Sequence, residues 1–369
     1  MKSIDEINNF LVENLALLKQ TGIDQGEILY WETELDTVRT FLNRVSHNGV
    51  TNDAEVQISS ICGKRLGQAR TSDLSREGIS RLVNQVTAQA RHSSPIQSFP
   101  VLPGPHRDYT LKKKIYFDST LQISPGEKIE LIEKITGLSN KNDLTCSAKL
   151  MTGGGKLGVI NTSGTLMATE FTETSLSVIL TGDKFISSYA SGSSENFETL
   201  ASDGIIQEAV RNANRQRLPP VDPPGLKGND IFLDLILEPA AVAEWIEMLA
   251  GIGINGLHFE EGESFVSGKL HQKLLGENIT LYDDGTDPRG LAAPFDFEGV
   301  PKKRQILFDR GVAKSVCYDS LLGAKYGKMT TGHASPPFER SYGALPRHLI
   351  MEGGTSTIEE MIASSEEPT

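Results

Sequence analysis

The chain has 369 residues, of which 36 are Lys or Arg and 48 are Asp or Glu, so its formal net charge is −12. A field of this sign repels phosphate backbones, and two short basic runs, Lys112–Lys114 and Lys302–Arg304, are typical of solvated turn faces. No apolar run approaches the roughly 20 residues that a membrane-spanning helix needs. We therefore expect neither a nucleic acid nor a membrane as a partner.

Cysteine usage and the first residues favour a reducing compartment. The three cysteines are scattered and odd in number, which excludes a disulfide framework. The opening sequence MKSIDEINNF is acidic and amphipathic, unlike a signal peptide. We expect a cytoplasmic protein.

Capping motifs and hydrophobic spacing predict the elements of the N-terminal half. Two capping boxes, Ser3-x-x-Glu6 and Ser124-x-x-Glu127, open helices that reach Gly22 and Leu138. Further helices are predicted at about Ser75–Arg91 and Asn196–Arg215. Alternation of apolar and polar residues predicts strands at Glu27–Leu35, Thr37–Val45, Ala54–Cys62 and several places between Asp143 and Ala190, with a break at His47-Asn48-Gly49.

A proline-rich segment divides the chain. Residues 219–224 contain four prolines, which neither a helix interior nor a central strand accommodates. We predict an N-terminal domain over residues 1–217, a linker over 218–229 and a C-terminal domain over 230–369. The mixed order of helices and mostly antiparallel strands indicates an α+β fold.

The C-terminal part is predicted to begin with a strand and an apolar helix. The strand is Ile231–Leu237, and the helix Pro239–Ala250 is ended by Gly251-Ile252-Gly253. Asp319 caps a short helix to Tyr326, and Ser356-x-x-Glu359 starts one more helix.

The stretch Asn278–Tyr318 carries the densest motifs. A strand with Ile279 and Leu281 stops at the turn Asp283-Asp284-Gly285, and a long loop follows. A hairpin then joins Gln305–Phe308 to Val312–Tyr318 through a three-residue turn, Asp309-Arg310-Gly311. Long ordered loops are usually functional, so a site is expected here.

Four sequence runs in this part resemble the signature of one family. They are DDGTDP, FDFEGVP, DRGVAK and TTGHA, the last at residues 330–334. In this order and spacing they resemble the TldD/PmbA family of metalloprotease-like proteins, formerly called modulators of DNA gyrase. The resemblance implies an α+β fold and hydrolysis of unfolded or precursor peptides in a cavity between paired subunits.

The family's active branch binds zinc through His-Glu-x-x-x-His on a helix and a distant cysteine. The matching helix here, Pro239–Ala250, contains no histidine, so the chain resembles the PmbA-type branch that lacks the zinc motif. Glu244 and Glu247 share one face of this helix, but carboxylates alone make a poor zinc site. We expect no cofactor in this chain and zinc in a paralogous partner.

Two histidines are candidates for chemistry. His258 lies beside Glu260 and Glu261, and imidazole with carboxylates suits zinc, although no second histidine has helical spacing to it. His333 is a candidate catalytic residue or ligand because it lies in a loop. For His333 the alternative is a structural hydrogen bond.

Acidic and aromatic residues complete the predicted site. The acidic residues of this stretch could bind a hard cation, but Asp beside Gly and Pro more often shapes a loop; they are Asp283, Asp284, Asp287, Asp296 and Glu298. The resemblance implies that Asp296 and Glu298 shape the cleft and are candidate catalytic residues. The alternation predicts that the rings of Phe295 and Phe297 point inward and that Asp296 points toward the cavity. The predicted substrate cleft consists of Asp283, Asp284, Phe295, Phe297, Thr331 and Gly332.

Two functions are compatible with these observations. The first is a metal-free peptidase subunit that shapes the cavity and grips an extended peptide by strand addition, in a homodimer or in a heterodimer with a zinc-bearing paralogue. The alternative is a non-enzymatic peptide-binding or modulator protein. Family members usually continue through further strands beyond Glu352-Gly353-Gly354, so we expect a shortened C-terminal domain.

Overall fold

The computed structural model describes residues 1–96, 101–106, 111–218 and 235–365. Their helices and strands, in chain order, are α1 (Ile4–Lys19), β1 (Gln25–Phe41), β2 (Arg44–Cys62), β3 (Arg65–Thr71), α2 (Arg76–His92), α3 (Asp118–Leu121), α4 (Pro125–Lys141), β4 (Thr145–Asn161), β5 (Leu166–Thr181), β6 (Ser187–Ser194), α5 (Ser202–Arg215), α6 (Pro239–Gly253), α7 (Gly256–Glu260), β7 (Leu281–Asp283), β8 (Gln305–Asp309), β9 (Val312–Ala313), α8 (Ser320–Tyr326), β10 (Leu349–Met351) and α9 (Ile358–Ser364).

Two antiparallel sheets organise these elements. The larger has six strands in the order β3-β2-β1-β4-β5-β6, and the smaller has four in the order β10-β7-β8-β9. The large sheet is built from long hairpins, so β1 pairs with β2 on one side and with β4 on the other. The predicted α+β class is confirmed.

Side chains alternate between the two faces of the large sheet, because successive residues of a strand point in opposite directions. On β1, Ile28 and Tyr30 belong to the core beneath α1 and α2. Their neighbours Leu29 and Trp31 pack on the opposite face, in a cluster with Phe295. One face of the sheet is therefore covered by helices and the other by a loop of the C-terminal part.

The helix-covered face continues across β4 and β5. There Ile132 and Ile135 of α4 and Ile205 of α5 pack against the inward residues of these strands. The capping box of α4 forms as predicted, with the Ser124 side chain accepting from the Glu127 N–H. In α4 an amphipathic pattern and a cap thus determine where the helix starts and which face it buries.

The predicted break at His47-Asn48-Gly49 is wrong. These residues lie within β2 and pair with Thr37–Arg39. The hairpin turns instead at Leu42 and Asn43, whose φ angles are 50° and 61°. Asn tolerates this left-handed conformation, and the Asn43 side chain accepts from the Cys146 N–H at 2.6 Å, so a contact with β4 fixes the turn.

Several boundaries in the C-terminal part also differ from the predictions. The β8–β9 turn has two central residues, Arg310 and Gly311, both with positive φ. The second strand ends at Ala313 rather than Tyr318, and the last helix is capped by Thr357 with Glu360. Helix α6 continues through Gly253. The predicted strand Ile231–Leu237 and the proline-rich segment fall largely outside the described residues.

The structure bears on the expectations about membrane helices and disulfides. Within the described ranges, no helix is both long enough and apolar enough to cross a membrane. Cys62, Cys146 and Cys317 are all free thiols, as their scatter along the sequence predicted.

Strand β3 approaches α2 so closely that position 67 accepts only glycine. A Cβ at Gly67 would lie 2.0 Å from the Val86 carbonyl oxygen and 2.6 Å from the Ala90 nitrogen. We expect Gly67→Ala to lower the free energy of unfolding by about 1–3 kcal/mol, because backbone must move. Urea denaturation measures this change.

Gly137→Ala is the matched control, because a Cβ at Gly137 of α4 meets no atom within 4 Å. Replacing a helical glycine by alanine is expected to raise the free energy of unfolding by about 0.5–1 kcal/mol. Equal effects of the two substitutions would contradict the close packing of α2 on β3.

Candidate functional site

A buried group of opposite charges lies where the small sheet meets two loops. Asp283 ends β7, Lys302 follows the FDFEGVP turn, and His333 belongs to the loop after α8. The Asp283 Oδ1 atom lies 2.9 Å from Lys302 Nζ and 3.1 Å from His333 Nε2. All three residues are buried. We call this group the polar centre.

Asp283 is ionised within the polar centre. Burial alone would raise its pKa, but the His333 ring, the Lys302 ammonium and the His348 N–H, which donates to Asp283 Oδ2 at 2.6 Å, together lower the pKa well below its usual range. The two loops are thus joined through one carboxylate.

Thr331 and Gly332 shape the loop that presents His333. The Thr331 hydroxyl lies 2.9 Å from His333 Nδ1 and accepts from the Tyr318 N–H at 2.9 Å. Gly332 has a φ of 76°, a left-handed conformation that favours glycine. Both residues therefore help to set the orientation of the His333 imidazole.

Asp296 fixes the FDFEGVP turn. Its carboxylate accepts the backbone N–H groups of Glu298, Val300 and Ala334, each at 2.9 Å. Burial raises the pKa of Asp296 despite these three donors. The contact with Ala334 ties this turn to the TTGHA loop. The structure thus gives Asp296 the loop-shaping geometry that its neighbouring glycine and proline indicate.

Glu298 belongs to a second buried network that reaches the large sheet. Its carboxylate accepts the Ser320 N–H at 3.1 Å and the Ser320 hydroxyl at 2.7 Å, and lies 3.8 Å from Arg340. Arg340 in turn pairs with Glu27 of β1 at 3.0 Å. The carboxyl group of Glu298 is thus held on one side by α8 and on the other by a guanidinium.

Burial is the main cause of the raised pKa of Glu298. It raises the pKa to about 8, against the lowering effect of Arg340 and with further raising by Asp296, Asp319 and Glu27. The carboxyl groups of Glu27, Glu298 and Asp319 interact with the Arg340 guanidinium, and they cannot all ionise without cost. Burial raises the pKa of Asp319 as well, and the raised pKa of Glu298 favours its protonated form near neutral pH.

The other acidic residues of the stretch are satisfied locally. Asp284 accepts from the Thr286 N–H at 2.9 Å and pairs with Lys112 at 2.8 Å, while Asp287 pairs with Arg289 at 2.9 Å. Across the part of the chain that the structure describes, no three His, Cys, Asp or Glu side chains are grouped to hold a metal ion. These contacts agree with the interpretation of the acidic residues as loop architecture.

A cavity of about 220 Å³ lies between the large sheet and these loops. Phe295, which is buried, and Phe297, which is half-buried, form part of its wall, so both rings point inward as predicted. Asp296 also borders it. The remaining predicted cleft residues Asp283, Asp284, Thr331 and Gly332 are not among its lining residues, which include Trp31, Leu157, Phe171, Glu173, Glu195, Lys302, His333, Arg347 and His348.

A larger groove of about 1150 Å³ runs between α6 and β10. Val242, Ile246 and Ala250 of α6 line one side, and Leu349 and Met351 of β10 line the other. We call this the α6–β10 groove. One wall of the groove is α6, the helix that the sequence resemblance likens to the zinc helix of the family's active branch.

The zinc candidates do not converge on α6. Glu244 and Glu247 are exposed, and only Glu247 borders the α6–β10 groove. His258, on α7, pairs instead with Glu263 at 2.7 Å. The residues present on and near this helix therefore do not fit a zinc ion.

Four site residues were not recognised in the sequence as functional. They are Glu27, Lys302, Arg340 and His348. The prediction that Lys302 is solvated is wrong, because it is only 6% exposed and pairs with Asp283. For Glu27 a signal did exist, since a charged residue between apolar neighbours in a strand is unusual without a partner.

The buried carboxyl of Glu298 predicts a pH-dependent stability. A folded-state pKa of about 8, raised above the ordinary value of 4.5, means that the folded protein binds the proton more tightly than the unfolded chain. The free energy of unfolding should therefore fall as pH rises from about 4.5 to about 8, by up to about 1.4 kcal/mol per pH unit from this group. Urea denaturation at pH 6.5–8 measures the slope.

Glu298→Gln is the control for this slope, because an amide can occupy the same place without titrating. Burial lowers the pKa of His348 from its ordinary value of 6.5, so this histidine makes stability rise with pH, but only below about pH 6.5. Above pH 6.5 the slope of stability against pH therefore reports Glu298 without a contribution from His348. The variant should have a flatter profile there. An identical slope in both proteins would contradict the buried, proton-retaining state of Glu298.

Comparison with known proteins supports the resemblance seen in the motifs. The family model of the PmbA/TldA metallopeptidase C-terminal domain matches residues 232–367. A metalloprotease PmbA homologue from Haemophilus influenzae is 24% identical over 314 residues, which are 81% of this chain and 66% of that protein. An uncharacterised protein from Methanocaldococcus jannaschii is 31% identical over 121 residues, covering 32% of this chain and 27% of its own length. The chain thus spans at most about two-thirds of the length of these two relatives.

The fold has a solved counterpart. The crystal structure of TldE from Thermococcus kodakarensis superposes with a TM-score of 0.85 at 22% identity, covering 96% of this chain and 80% of that one. At this identity the likeness establishes the fold. The matched C-terminal domain and the homologues support the resemblance of the chain to the TldD/PmbA family of metallopeptidase-like proteins.

Proposed function

We propose that this chain is the metal-free subunit of a TldD/PmbA-type peptidase, which holds an extended peptide while a zinc-bearing paralogue cleaves it. The observation that carries the proposal is the α6–β10 groove. It combines an apolar helix face with a sheet edge, and an extended peptide requires both.

The edge of β10 has backbone groups directed into this groove. Among the described strands, β10 pairs only with β7. The His348 carbonyl accepts from the Asp284 N–H, and the Glu352 N–H donates to the Thr280 carbonyl. Because antiparallel residues alternate in their bonding direction, Met351 directs its N–H away from β7. A peptide strand placed there would receive main-chain hydrogen bonds.

The opposite wall supplies sites for side chains. Val242, Ile246 and Ala250 present apolar surface to the groove, about one strand's width from a peptide paired with β10. Main-chain bonds give such binding its strength with little dependence on sequence. This suits unfolded peptides as the substrate class.

The sequence and geometry of α6 support assigning the cutting step to another subunit. No histidine occurs in this helix, and its two glutamates are exposed. Zinc in peptidases needs three protein ligands and an open position for water. A paralogue with His-Glu-x-x-x-His on the equivalent helix would supply the ion.

The outer side of α6 supports a paired assembly. Trp245 and Met248 are each 63% exposed, and Ile252 is 55% exposed. Large apolar side chains exposed together on one helix are typical of a contact between proteins. In the proposed assembly this surface, within the part of the chain after Pro224, contacts the second subunit of a homodimer or heterodimer.

Strand addition is tested with Met351→Pro, which removes the outward N–H and leaves the bonds to β7 in place. An unfolded, fluorescently labelled peptide should bind the variant at least about tenfold more weakly, as expected when hydrogen bonding to the edge is lost. Fluorescence anisotropy measures the affinity. Chelator-sensitive cleavage in the presence of the paralogue should fall in parallel.

Met351→Ala is the matched control, because it shortens the side chain and keeps the N–H. It should bind the peptide within about threefold of the unmodified chain, a change of less than about 1 kcal/mol. Equal losses in the two variants would contradict strand addition. Peptide binding with no cleavage at any ratio of paralogue would instead favour the non-enzymatic modulator.

The metal-free assignment has its own test. The purified chain should contain well under one zinc per chain by elemental analysis, because α6 offers no pair of nitrogen or sulfur ligands. It should also show no chelator-sensitive peptidase activity by itself. About one zinc per chain would overturn the assignment, and His258 and His333 would then be the ligands to replace.

A further inference from the structure

Two hairpin turns of the large sheet lie side by side at one end of that sheet. The β1–β2 turn is Leu42-Asn43, and the β5–β6 turn spans residues 182–186. The Asn43 N–H donates to the Cys146 carbonyl at 3.0 Å, and Cys146 of β4 pairs across the sheet with Leu180. The start of β4 therefore holds the two turns together. We call residues 39–45, 141–149 and 180–187 the distal end of the large sheet.

Large apolar side chains are exposed on both turns. Phe185 is fully exposed, and Phe41 and Leu42 are 61% and 56% exposed. The φ angles of Leu42 and Phe185 are 50° and 66°, a left-handed conformation that is unfavourable for bulky residues. Neither packing within the chain nor the geometry of the turns accounts for apolar residues at these positions. Their exposure together at one end of the sheet indicates contact with another surface.

The distal end carries more positive than negative charge, although the chain as a whole has a net charge of −12. Its carboxylates are those of Asp143 and Asp183. Among the described residues, none of its cations is paired with a carboxylate. An anionic partner would supply the missing counter-charges. The cations are Arg39, Arg44, Lys141, Lys149 and Lys184, and beside them Arg217, which donates to the Asn142 and Asp143 carbonyls.

Two of these cations lie directly opposite each other in the sheet. Arg39 of β1 pairs in register with Lys149 of β4. Like charges in this position destabilise a sheet. On the neighbouring strand Lys149 is opposite Ser177, and the carboxylate Glu173 is opposite Gly153 instead. An anion placed over the pair would relieve the repulsion, so this arrangement also favours an anionic partner.

The order of apolar and charged residues along the hairpin fits a lipid surface. Arg39 precedes Phe41 by two residues, which is about 7 Å along a strand. Apolar side chains of peripheral proteins enter a bilayer by about 5–10 Å, while lysine and arginine stay at the level of the anionic headgroups. Apolar residues on projecting turns, with cations one or two residues behind them, therefore match the depth profile of an anionic bilayer.

We propose that the distal end of the large sheet docks on the surface of an anionic lipid bilayer. Phe41, Leu42 and Phe185 enter the boundary of the acyl chains, and the cations contact the headgroups. The net charge of the chain led us to expect no membrane partner, but net charge does not describe how the fold distributes the charges. The α6–β10 groove belongs to the C-terminal part, so the docking does not depend on the function proposed there.

Cosedimentation of the intact chain with lipid vesicles tests this inference. Mixed phosphatidylcholine–phosphatidylglycerol vesicles should bind at least about tenfold more tightly than pure phosphatidylcholine vesicles, because several cations face the headgroups. Added salt should weaken the binding, since it screens exposed charges. Absence of binding to the mixed vesicles, or equal affinity for the two kinds of vesicle, would overturn the proposal.

Phe185→Asn tests the apolar contact. Asparagine tolerates a positive φ, so the turn is retained, and the loss of the ring should weaken binding to mixed vesicles at least about tenfold. Met329→Asn is the matched control, because Met329 is also exposed but lies in the loop after α8. It should bind as the unmodified chain does. Equal losses in the two variants would contradict docking through the distal end.

Arg39→Gln tests the charged contact with two measurements that should move in opposite directions. Loss of one cation should weaken binding to mixed vesicles about fivefold, while removal of the like-charge pair should raise the thermal stability. Lys19→Gln, on the last turn of α1, is the control and should leave vesicle binding unchanged. Unaltered vesicle binding by a folded Arg39→Gln variant would contradict the proposal.

Light scattering separates a lipid surface from a protein partner. Phe185→Asn and the unmodified chain should have the same mass in solution, because the distal end contacts lipid rather than another subunit. A lower mass for the variant, with vesicle binding unchanged, would assign this surface to a contact between proteins and overturn the proposal. Circular dichroism of each variant confirms that the fold is intact.

Discussion

One guanidinium joins the two parts of this molecule. Arg340 comes from the 3₁₀ segment Pro337–Tyr342, and it reaches Glu27 on β1 and Glu298 in the FDFEGVP turn. All of these groups are largely removed from water. A buried charge that loses its partner typically costs about 3–5 kcal/mol. The placement of the C-terminal loops on the sheet therefore depends on this single residue more than on any one apolar contact.

The polar centre follows the same principle with fewer groups. Asp283 collects Lys302, His333 and a backbone N–H, so that three segments distant in sequence converge on one carboxylate. Buried polar networks are costly when incomplete and specific when complete. Three of the four signature runs, DDGTDP, FDFEGVP and TTGHA, thus supply members of such networks in this chain. Their charged residues fix loops that, together with the sheet, line the cavity.

The sequence predicted elements where the signal was local. Capping boxes located the starts of α1 and α4, and period-two alternation indicated strands between Asp143 and Ala190, the region that contains β4 and β5. The β1–β2 turn was missed because Leu42-Asn43 resembles no standard turn pair. It is stabilised by a contact with β4, about 100 residues away. Such a contact produces no pattern in the sequence around the turn.

Prediction of the site was likewise limited to residues that a local sequence pattern marks. The motifs identified Phe295, Asp296 and His333, because each lies in a run of unusual composition. Lys302 was assigned to a solvated basic run, since no local pattern distinguishes a lysine with a buried partner from one in water. The pairing of Arg340 with Glu27 spans 313 residues, and only the fold brings the two together.

The alternation along β1 has a consequence for how this protein can change over evolutionary time. Residues 28 and 30 face the helices, whereas residues 29 and 31 face the cavity. Insertion or deletion of one residue in this strand would exchange both sets at once, so the helix core and the cavity wall would be lost together. Length changes are therefore excluded from the first half of β1. At the distal end of the β1–β2 hairpin, the exposed Phe41 and Leu42 can change in side chain without loss of either set, while Asn43 holds the turn to β4.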